Sequence, residues 1–397
     1  MVKINKLDEN LNIGGKRALL RVDFNVPIND GTITEDSRIE KVLPTIKFLI
    51  NKKAKIIIIA HLGRPKGKIV PELTLKPIAK KLSNYLNQDV VFLNESIGSL
   101  AIQNSKKIPN GKIMLLENIR FHKEEELNSV SFAKELSKIG DIYINEAFPC
   151  SHRTHASVCE ITKHIDSFAG KQLLEEISVI KMLTDNAKKP ITCIMGGSKI
   201  STKSGILINL IKKMQNIVIV GAMANVFLKY KGYNIGQSIF EKNQENLIEN
   251  IIQESKKNNC NLVLPEDVIT SRNHNSKGIL KNLDQINEND LILDIGKKTL
   301  QNIFKVIDKS KTVLWNGPAG YFEIDEFSIG SKKIANKISD NTKTKSLISI
   351  AGGGDTVAAI NKFKCSNGFT YLSTAGGAFL ELLEGKMLPG IKALEIN

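Results

Sequence analysis

The sequence of 397 residues lacks the features that would assign it to a membrane or to the secretory pathway. No apolar run approaches the about 20 residues that a membrane span needs. The first ten residues contain acids and no apolar core, so we expect no signal peptide. Fixed-period repeats and low-complexity segments are also missing. We therefore expect a soluble globular protein with no membrane partner.

Cysteine is scarce, with five residues at widely separated positions, 150, 159, 193, 260 and 365. An odd number at wide spacing argues against a disulfide framework and predicts a reduced, cytoplasmic protein. The segment CSHRTHASVC does bring together zinc-ligand residue types, at Cys150, His152, His155 and Cys159. It has no C-x₂-C pair and no second ligand group, so we do not favour a zinc site.

Arginine is also rare: only seven of the 56 basic residues are arginine, and six of those lie in the first 153 residues. Where the common surface cation is lysine, arginine can mark places that need a planar fork for phosphate or carboxylate. Scatter in a small number is the other explanation, and the composition alone does not decide between them.

The net charge of +15 raises the possibility of nucleic-acid binding. The chain has no basic tail and no alternation of basic and aromatic residues, so we interpret most of this charge as solvated lysine and expect no nucleic-acid partner. The length predicts two or three domains.

Continuous apolar strands alternate with amphipathic helices along most of the chain, as in AKIIIIA followed by LKPIAKKLSNYLN. This pattern predicts an α/β fold with parallel sheets covered by helices on both faces. The alternation breaks at about 146–170, and one long helix follows near 171–188. We predict two Rossmann-like domains joined by that helix, 1–170 and 171–377, with a tail from about 378 to 397 returning to the first domain.

Ligands of such sheets bind beyond the carboxyl ends of the strands, so the residues at those ends are the candidates for a site. In the first half, these positions hold carboxamide, carboxylate, imidazole and guanidinium groups: Asp23, Asn25, Arg38, His61, Arg64, Arg120 and Arg153. Together they would bind a small molecule with several negative charges. Taken singly, each charged residue could instead form a surface ion pair, and the histidine could be structural.

In the second half, the strands end in glycine-rich loops. The glycines concerned are Gly196, Gly197, Gly221, Gly317, Gly320, Gly352, Gly353, Gly354, Gly376 and Gly377. Unobstructed backbone amides at helix starts bind anions. Lys199 and Lys203, four residues apart, would share one helical face and suit a polyphosphate.

An acid, Asp355, follows one of these loops, and two interpretations stay open for it. It would bind Mg²⁺ between itself and phosphate oxygens, or simply cap its helix. None of the loops has the P-loop spacing or a G-x-G-x-x-G, and no acid follows about 20 residues after an early glycine motif, which argues against a Rossmann dehydrogenase.

Taken together, the motifs resemble those of the phosphoglycerate kinase family almost from end to end. The resemblance rests on RVDFNVP, HLGRP, LENIRF, GGSKISTK, GAMANVFL, WNGPAGYFE, AGGGDT, GGAFLELLEG and LPGIKAL. It implies a two-domain, monomeric, hinge-bending enzyme of the cytoplasm. Such an enzyme transfers the acyl phosphate of 1,3-bisphosphoglycerate to Mg²⁺-bound ADP, giving 3-phosphoglycerate and ATP in glycolysis.

The resemblance also implies roles for individual residues. In the N-terminal domain, phosphoglycerate would be bound by Asp23, Asn25, Arg38, His61, Arg64, Arg120 and Arg153. In the C-terminal domain, the nucleotide would be bound by Gly196, Lys199, Lys203, Gly221, Asn316, Pro318, Glu323, Gly353, Gly354, Asp355 and Thr356. Glu323 would contact the ribose and Asp355 the Mg²⁺. The transfer step itself is expected at Arg38, Lys199, Gly354 and Gly376.

The chain departs from the family pattern at a few positions. NEAFPC has Glu146 where aspartate is usual and Pro149 where glycine or another small residue is usual. Ala375 stands in place of a third glycine, and Ser198 in place of alanine. The loop before Arg153 is where these departures bear most directly on a candidate site.

Overall fold

The structure is a computed structural model that describes residues 3–29 and 31–396. It divides into two compact units. The first contains the residues up to Ser178 together with those from Met387 onwards, and the second is Val179–Lys386. In the described parts of the chain, no helix combines the length and apolar character needed to cross a membrane.

The first unit is built on a six-stranded parallel sheet in the order β5-β6-β4-β1-β7-β8. A separate antiparallel pair, β2 and β3, follows β1. The strands are β1 (Arg17–Arg21), β2 (Ile28–Asn29), β3 (Thr32–Ile33), β4 (Lys55–Ile59), β5 (Val90–Leu93), β6 (Ile113–Leu116), β7 (Ile142–Asn145) and β8 (Ser167–Ala169). The helices are α1 (Ser37–Asn51), α2 (Lys76–Leu86), α3 (Ser99–Lys107), α4 (Lys123–Glu126), α5 (Val130–Ser137) and α6 (Lys171–Asp185).

Strand β4 illustrates why the strands of this sheet are apolar throughout. Ile56 and Ile58 belong to the core that contains residues of α1 and α2. Ile57 and Ile59 belong to the core that contains residues of α3 and α5. Because alternate side chains of a strand point to opposite faces, both faces of the sheet are buried and every position must be apolar.

The second unit contains a second six-stranded parallel sheet, in the order β11-β10-β9-β15-β16-β17, and a three-stranded antiparallel sheet, β13-β12-β14. The strands are β9 (Ile191–Met195), β10 (Asn216–Ile219), β11 (Asn261–Val263), β12 (Asp267–Ser271), β13 (Ile279–Asn282), β14 (Leu291–Ile295), β15 (Thr312–Asn316), β16 (Ile348–Gly352) and β17 (Tyr371–Ser373). The helices are α7 (Ser204–Ile211), α8 (Ala222–Tyr230), α9 (Glu245–Lys257), α10 (Lys297–Lys309), α11 (Ile329–Lys345), α12 (Gly354–Lys362), α13 (Gly377–Leu383) and α14 (Pro389–Lys392).

The predicted α/β fold class, with two parallel sheets flanked by helices, is confirmed. The antiparallel sheet was not predicted. Its outer strand β13 leaves both Ile279 and Leu280 more than half exposed, so the strand has no alternation of apolar and polar residues. Strand β8, in the segment interpreted as a loop, is only three residues long and also escaped notice.

Two points along the chain separate the compact units. The chain passes from the first unit to the second within α6. Helix α13 groups with the second unit, where the carbonyl of Leu383 accepts a hydrogen bond from the Asn209 side chain at 2.6 Å. The residues from Met387 onwards group with the first unit, where the Gly390 amide donates to the Ser151 carbonyl at 2.8 Å.

Candidate active site

In the first unit, the predicted polar residues follow the carboxyl ends of β6, β4, β1 and β7, which are neighbours in the sheet. Asp23 lies at the centre of this group. One of its carboxylate oxygens accepts a hydrogen bond from Arg38 Nη1 at 2.6 Å, and the other lies 3.8 Å from His61 Nε2. Asp23 and His61 are buried, while Arg38 at the start of α1 keeps access to solvent.

The loop after β4 connects two further members of the group. The Gly63 amide donates to Asn25 Oδ1 at 2.8 Å, and the Gly63 carbonyl accepts from Arg120 Nη1 at 2.8 Å. Gly63 has a φ of +61°, and a Cβ at this position would lie 2.7 Å from the Leu73 side chain. Glycine is therefore required here, and the exposed Arg64 follows it directly.

Arg120 and Arg153 concentrate positive charge beside this loop. Burial lowers the pKa of Arg120, and the nearby guanidinium groups of Arg21 and Arg153 lower it further. Arg153 donates from Nε to the neighbouring His152 ring at 3.3 Å. Guanidinium groups this close repel one another, and a bound anion would reduce that repulsion.

His61 is neutral at pH 7. Its burial lowers its pKa well below 6.5, and the arginines around it add to this effect: Arg21, Arg120 and Arg38. The ring can therefore exchange hydrogen bonds with a ligand but does not add a charge to the site.

One group in the described residues has metal-ligand types close together: Asp23, His61 and Cys150, whose ligand atoms lie within 4.8 Å of one another. The guanidinium of Arg21 lies 3.4 Å from His61 Nδ1 and 3.8 Å from Cys150 Sγ, so positive charge already stands where a cation would bind. Among these residues, the four zinc-ligand types at 150–159 do not form such a group.

In the second unit, Lys203 joins the loops that follow three strands. Its ammonium group donates to the Gly196 carbonyl and to Asn316 Oδ1, both at 2.7 Å. Asn316 in turn donates to the Gly352 carbonyl at 2.6 Å. Burial lowers the pKa of Lys203, while the nearby Asp355 carboxylate raises it.

The glycines of this region let the loops pack backbone against backbone. A Cβ on Gly196 would lie 2.2 Å from the Pro318 carbonyl oxygen, and one on Gly317, whose φ is +103°, would lie 2.3 Å from the Gly196 oxygen. Gly221 packs against the same two loops, and a Cβ at this position would lie 3.1 Å from both Gly197 N and Pro318 O. Side chains are absent here because other backbone occupies their place.

The loop after β16 differs, because part of it faces open space. Gly353 has a φ of +99° and is the N-terminal flanking residue of α12, and a Cβ on Gly354 would meet nothing within 4 Å. The Thr356 hydroxyl accepts from the Gly317 amide at 2.7 Å and joins this loop to the one after β15.

Asp355 lies in the first turn of α12 and is exposed. The alternative that it caps the helix is wrong, because Gly353 occupies the capping position and no side chain caps this helix. Within the described chain, no hydrogen bond or ion pair engages the Asp355 carboxylate. It is therefore available to a ligand.

A pocket of about 230 Å³ opens beside these loops, and Gly221, Pro318, Glu323 and Asp355 all line it. Sequence reasoning missed two aromatic residues of its wall, His274 and Tyr321, whose rings meet edge to face at 4.8 Å. The loop that carries His274 has no sequence signal beyond its polarity. Tyr321 lies within the WNGPAGYFE motif and could have been singled out there.

Two further predicted residues lie at the edge of this arrangement. Lys199 is exposed and precedes the short 3₁₀ turn Ser201–Lys203, and α7 begins only at Ser204. The prediction that Lys199 and Lys203 share one helical face is therefore wrong. In the turn between them, the Ser201 amide and hydroxyl donate hydrogen bonds to the Glu241 carboxylate. Gly376 flanks α13, whose Phe379 packs on Gly352.

Comparisons with known proteins point to one family. A family model described as "Phosphoglycerate kinase" matches residues 8–386. The chain is 44% identical to a protein named phosphoglycerate kinase from Wolbachia pipientis subsp. Culex pipiens, over 97% of this chain and 98% of that protein. It is also 44% identical to the one from Orientia tsutsugamushi, over 99% and 98%. The solved phosphoglycerate kinase structure from Coxiella burnetii is similar, with a TM-score of 0.87, 39% identity and 97% of both chains covered.

Proposed function

The chain belongs to the phosphoglycerate kinase family, and from this premise we propose how its residues carry out the reaction. The enzyme is a phosphotransferase with a carboxyl group as acceptor. In glycolysis it reversibly transfers the acyl phosphate of 1,3-bisphosphoglycerate to ADP, giving 3-phosphoglycerate and ATP.

We propose that phosphoglycerate binds at the strand ends of the first unit. The observation that carries this proposal is the cluster of buried or half-buried arginines around a neutral histidine, with Asp23 holding Arg38 in place. Phosphate and carboxylate groups match the fork of arginine, and they would relieve the repulsion between Arg120 and Arg153. Asn25, Arg38, His61 and Arg64 complete the proposed set.

We propose that the nucleotide binds in the pocket of the second unit. Gly353 and Gly354 form the start of α12, where a phosphate is favoured, and Gly354 faces open space. Lys203 is already oriented by Gly196 and Asn316. Glu323 on the pocket wall offers its carboxylate to ribose hydroxyls, and the remaining contacts are assigned to Pro318, Gly221 and Thr356.

The proposed metal ligand is Asp355. Its carboxylate is exposed and unengaged beside the accessible glycine backbone, which fits a Mg²⁺ ion held by one carboxylate and by phosphate oxygens. When bound, Mg²⁺ would neutralise phosphate charge. The acid would otherwise repel the nucleotide, so its place beside the pocket supports this role.

The transfer step needs charge neutralisation rather than proton transfer. The attacking ADP oxygen and the departing carboxylate are both ionised at pH 7, so no general base is needed. We assign the charge on the transferred group to Arg38, Lys199 and the main-chain amides of Gly354 and Gly376. Because donor and acceptor are assigned to different units, we also propose that a hinge movement precedes transfer.

We also propose that the enzyme is monomeric and cytoplasmic. All five cysteines are free and buried, which supports a reducing compartment.

A coupled assay tests the proposal. The purified chain is supplied with ATP, 3-phosphoglycerate and Mg²⁺, and 1,3-bisphosphoglycerate formation is followed as NADH oxidation by added glyceraldehyde-3-phosphate dehydrogenase. The proposed site assignment predicts that ligand titrations by heteronuclear NMR perturb the first unit with 3-phosphoglycerate and the second with ATP. Perturbation of one unit by both ligands would refute it.

A further inference from the structure

Arg21, the last residue of β1, has a side chain that is completely buried. A buried guanidinium is costly unless its donors are engaged. Its Nε donates to Ser157 Oγ at 2.8 Å and its Nη1 donates to the Val22 carbonyl. Its Nη2 approaches three groups: His61 Nδ1 at 3.4 Å, Cys150 Sγ at 3.8 Å and Glu125 Oε1 at 3.9 Å.

Glu125 explains how this charge is tolerated. It is also fully buried, and it accepts from the Ser157 amide at 2.8 Å and from the Ser157 hydroxyl at 2.6 Å. Glu125 and Ser157 thus hold one side of the guanidinium. Its other side is left facing His61, on the inner face of the proposed phosphoglycerate site.

The contact with His61 determines where the imidazole proton lies. Arginine can only donate hydrogen bonds, so the Nδ1 atom that faces it must be an acceptor. The Cys150 thiol, 3.8 Å from the same Nδ1, is protonated because burial raises its pKa, and it is a second donor-type neighbour. The proton of the neutral ring therefore belongs on Nε2, which faces Asp23 at 3.8 Å.

We propose that Arg21 is a positioning residue for the phosphoglycerate site, which holds His61 as the neutral Nε2–H tautomer so that the ring donates a hydrogen bond to the acidic substrate. This inference rests on the proposed assignment of phosphoglycerate to the first unit. Arg21 itself, buried behind His61, acts through the histidine and does not touch the substrate.

The tautomer has a consequence for the dependence of binding on pH. An anion placed beside a histidine raises the pKa of the ring and favours its protonation. The charge of Arg21, which lies on the Nδ1 side of the ring, lowers the pKa of His61 and opposes this protonation. The other groups facing the ring act in known directions: Arg38, Arg120 and His155 also disfavour its protonation, whereas Asp23 is an anion that favours it. Together, these effects keep the His61 ring uncharged across the neutral pH range, so that it stays a neutral hydrogen-bond donor.

The first test is spectroscopic and uses the intact wild-type enzyme labelled with ¹⁵N-histidine. Six histidines are present, and the His61 signals are identified by their loss in His61→Gln. The proposal predicts a neutral Nε2–H pattern that does not titrate between pH 5.5 and 8. A charged ring or an Nδ1–H pattern at pH 7 in the wild type would overturn the proposal, independently of the results for the variants.

The second test is kinetic and compares Arg21→Met with Glu125→Gln. Loss of the Arg21 donor should let part of the neutral His61 population carry its proton on Nδ1, which the same ¹⁵N spectra detect. The KM for 3-phosphoglycerate should then rise by up to about tenfold, roughly the loss of one hydrogen bond to a charged group. The KM for ATP should stay unchanged.

Glu125→Gln is the matched control, because it removes the counter-ion and leaves Arg21 in place. It should lower stability without altering the His61 tautomer or the KM for 3-phosphoglycerate. If Arg21→Met only lowers stability in the same way, Arg21 is structural and the proposal fails. If His61 has the expected tautomer but 3-phosphoglycerate does not perturb its signals, the substrate assignment fails instead.

Discussion

The candidate sites of the two units are built from different materials. In the first unit, long charged side chains converge on Asp23 and His61, and several of them are buried. In the second, loops of glycine pack on one another, and a few polar side chains such as Lys203 and Asn316 tie them together. A small ligand with dense charge calls for guanidinium groups, whereas a long polyphosphate can be bound along exposed backbone amides. The difference suggests that the first site depends on charge and the second on backbone shape.

Removing a charge from the first site should have the largest effect. Arg38→Ala should lower turnover by about a thousandfold, because the cation proposed beside the transferred group is lost. The KM for ATP should change little. Steady-state kinetics in the coupled assay measure both, with Arg272→Ala, an exposed arginine outside the proposed sites, as the control. Turnover close to wild type would remove Arg38 from the transfer step.

Adding a methyl group to the second site should reveal its dependence on shape. Gly317→Ala places a Cβ 2.3 Å from the Gly196 oxygen at a φ of +103°, so we expect a loss of roughly 3 kcal/mol in the free energy of unfolding. Urea denaturation followed by circular dichroism measures it.

Gly354→Ala is the matched comparison, since its Cβ would meet no atom within 4 Å. Stability should be retained, while the KM for ATP should rise by about tenfold if the methyl group intrudes on bound phosphate. An unchanged KM would show that nucleotide phosphates do not approach this backbone.

In each unit, a buried carboxylate at a helix N-terminus has a raised pKa, and here the two units behave alike. Glu146 accepts from the Gln172 and Leu173 amides of α6, and burial nevertheless raises its pKa to about 7. Asp294 accepts from the Gly330 amide of α11, and burial raises its pKa to about 7 as well. In both cases, the cost of burying charge exceeds the stabilisation from the helix.

This similarity gives a pH-dependent prediction for Glu146→Gln. A carboxyl whose folded pKa exceeds its unfolded pKa keeps its proton longer when folded, so its contribution to stability falls as pH rises from about 4.5 to about 7. The wild type should lose up to about 3 kcal/mol relative to Glu146→Gln between pH 5 and pH 8. The amide adds an offset that does not depend on pH.

Urea denaturation at the two pH values measures this change, with the exposed Glu135→Gln as the control. A difference between wild type and Glu146→Gln that is the same at both pH values would contradict it. At this departure from the family pattern, the side chain of Glu146 fills the space next to Gly170, where a Cβ would lie 2.1 Å from its carboxylate oxygen.

An effect as small as that of Gly354→Ala should come from the proposed metal ligand. Asp355→Asn keeps one oxygen but loses the charge, so the Mg²⁺ concentration that gives half-maximal activity should rise by about tenfold. The KM for 3-phosphoglycerate should not change, because that ligand is assigned to the other unit. Titration of Mg²⁺ at fixed ATP measures the shift, and an unaltered titration curve would remove Asp355 from metal binding.

How much could be predicted from the sequence differs between the two sites. The glycine loops of the second unit were visible because each follows an apolar strand and precedes a helical pattern. Lys203 was found too, but its hydrogen bond to Asn316 joins residues 113 positions apart in the chain. His274 and Asp294 were missed, because the neighbouring sequence does not show whether a loop or strand residue lines a pocket.

In the first unit, the sequence identified every arginine but could not tell which are exposed and which are buried. Arg21 and Arg17 stand at opposite ends of the same strand. Arg17 pairs with the half-exposed Asp141, whereas Arg21 is enclosed by Glu125, Ser157 and His61. Their sequence surroundings do not predict this difference, so the role proposed for Arg21 could come only from the structure.

The sequence alone determined the two parallel sheets, since strands that are apolar at every position need cover on both faces, and it determined that the loops at their carboxyl ends hold the polar and glycine residues. The tertiary structure decided which of those residues contact one another and which charges are buried. The physical reason is that periodicity is a local property of the chain. The pKa and the pairing of a side chain depend also on residues distant in the sequence, as Arg21 depends on Ser157, more than a hundred positions away.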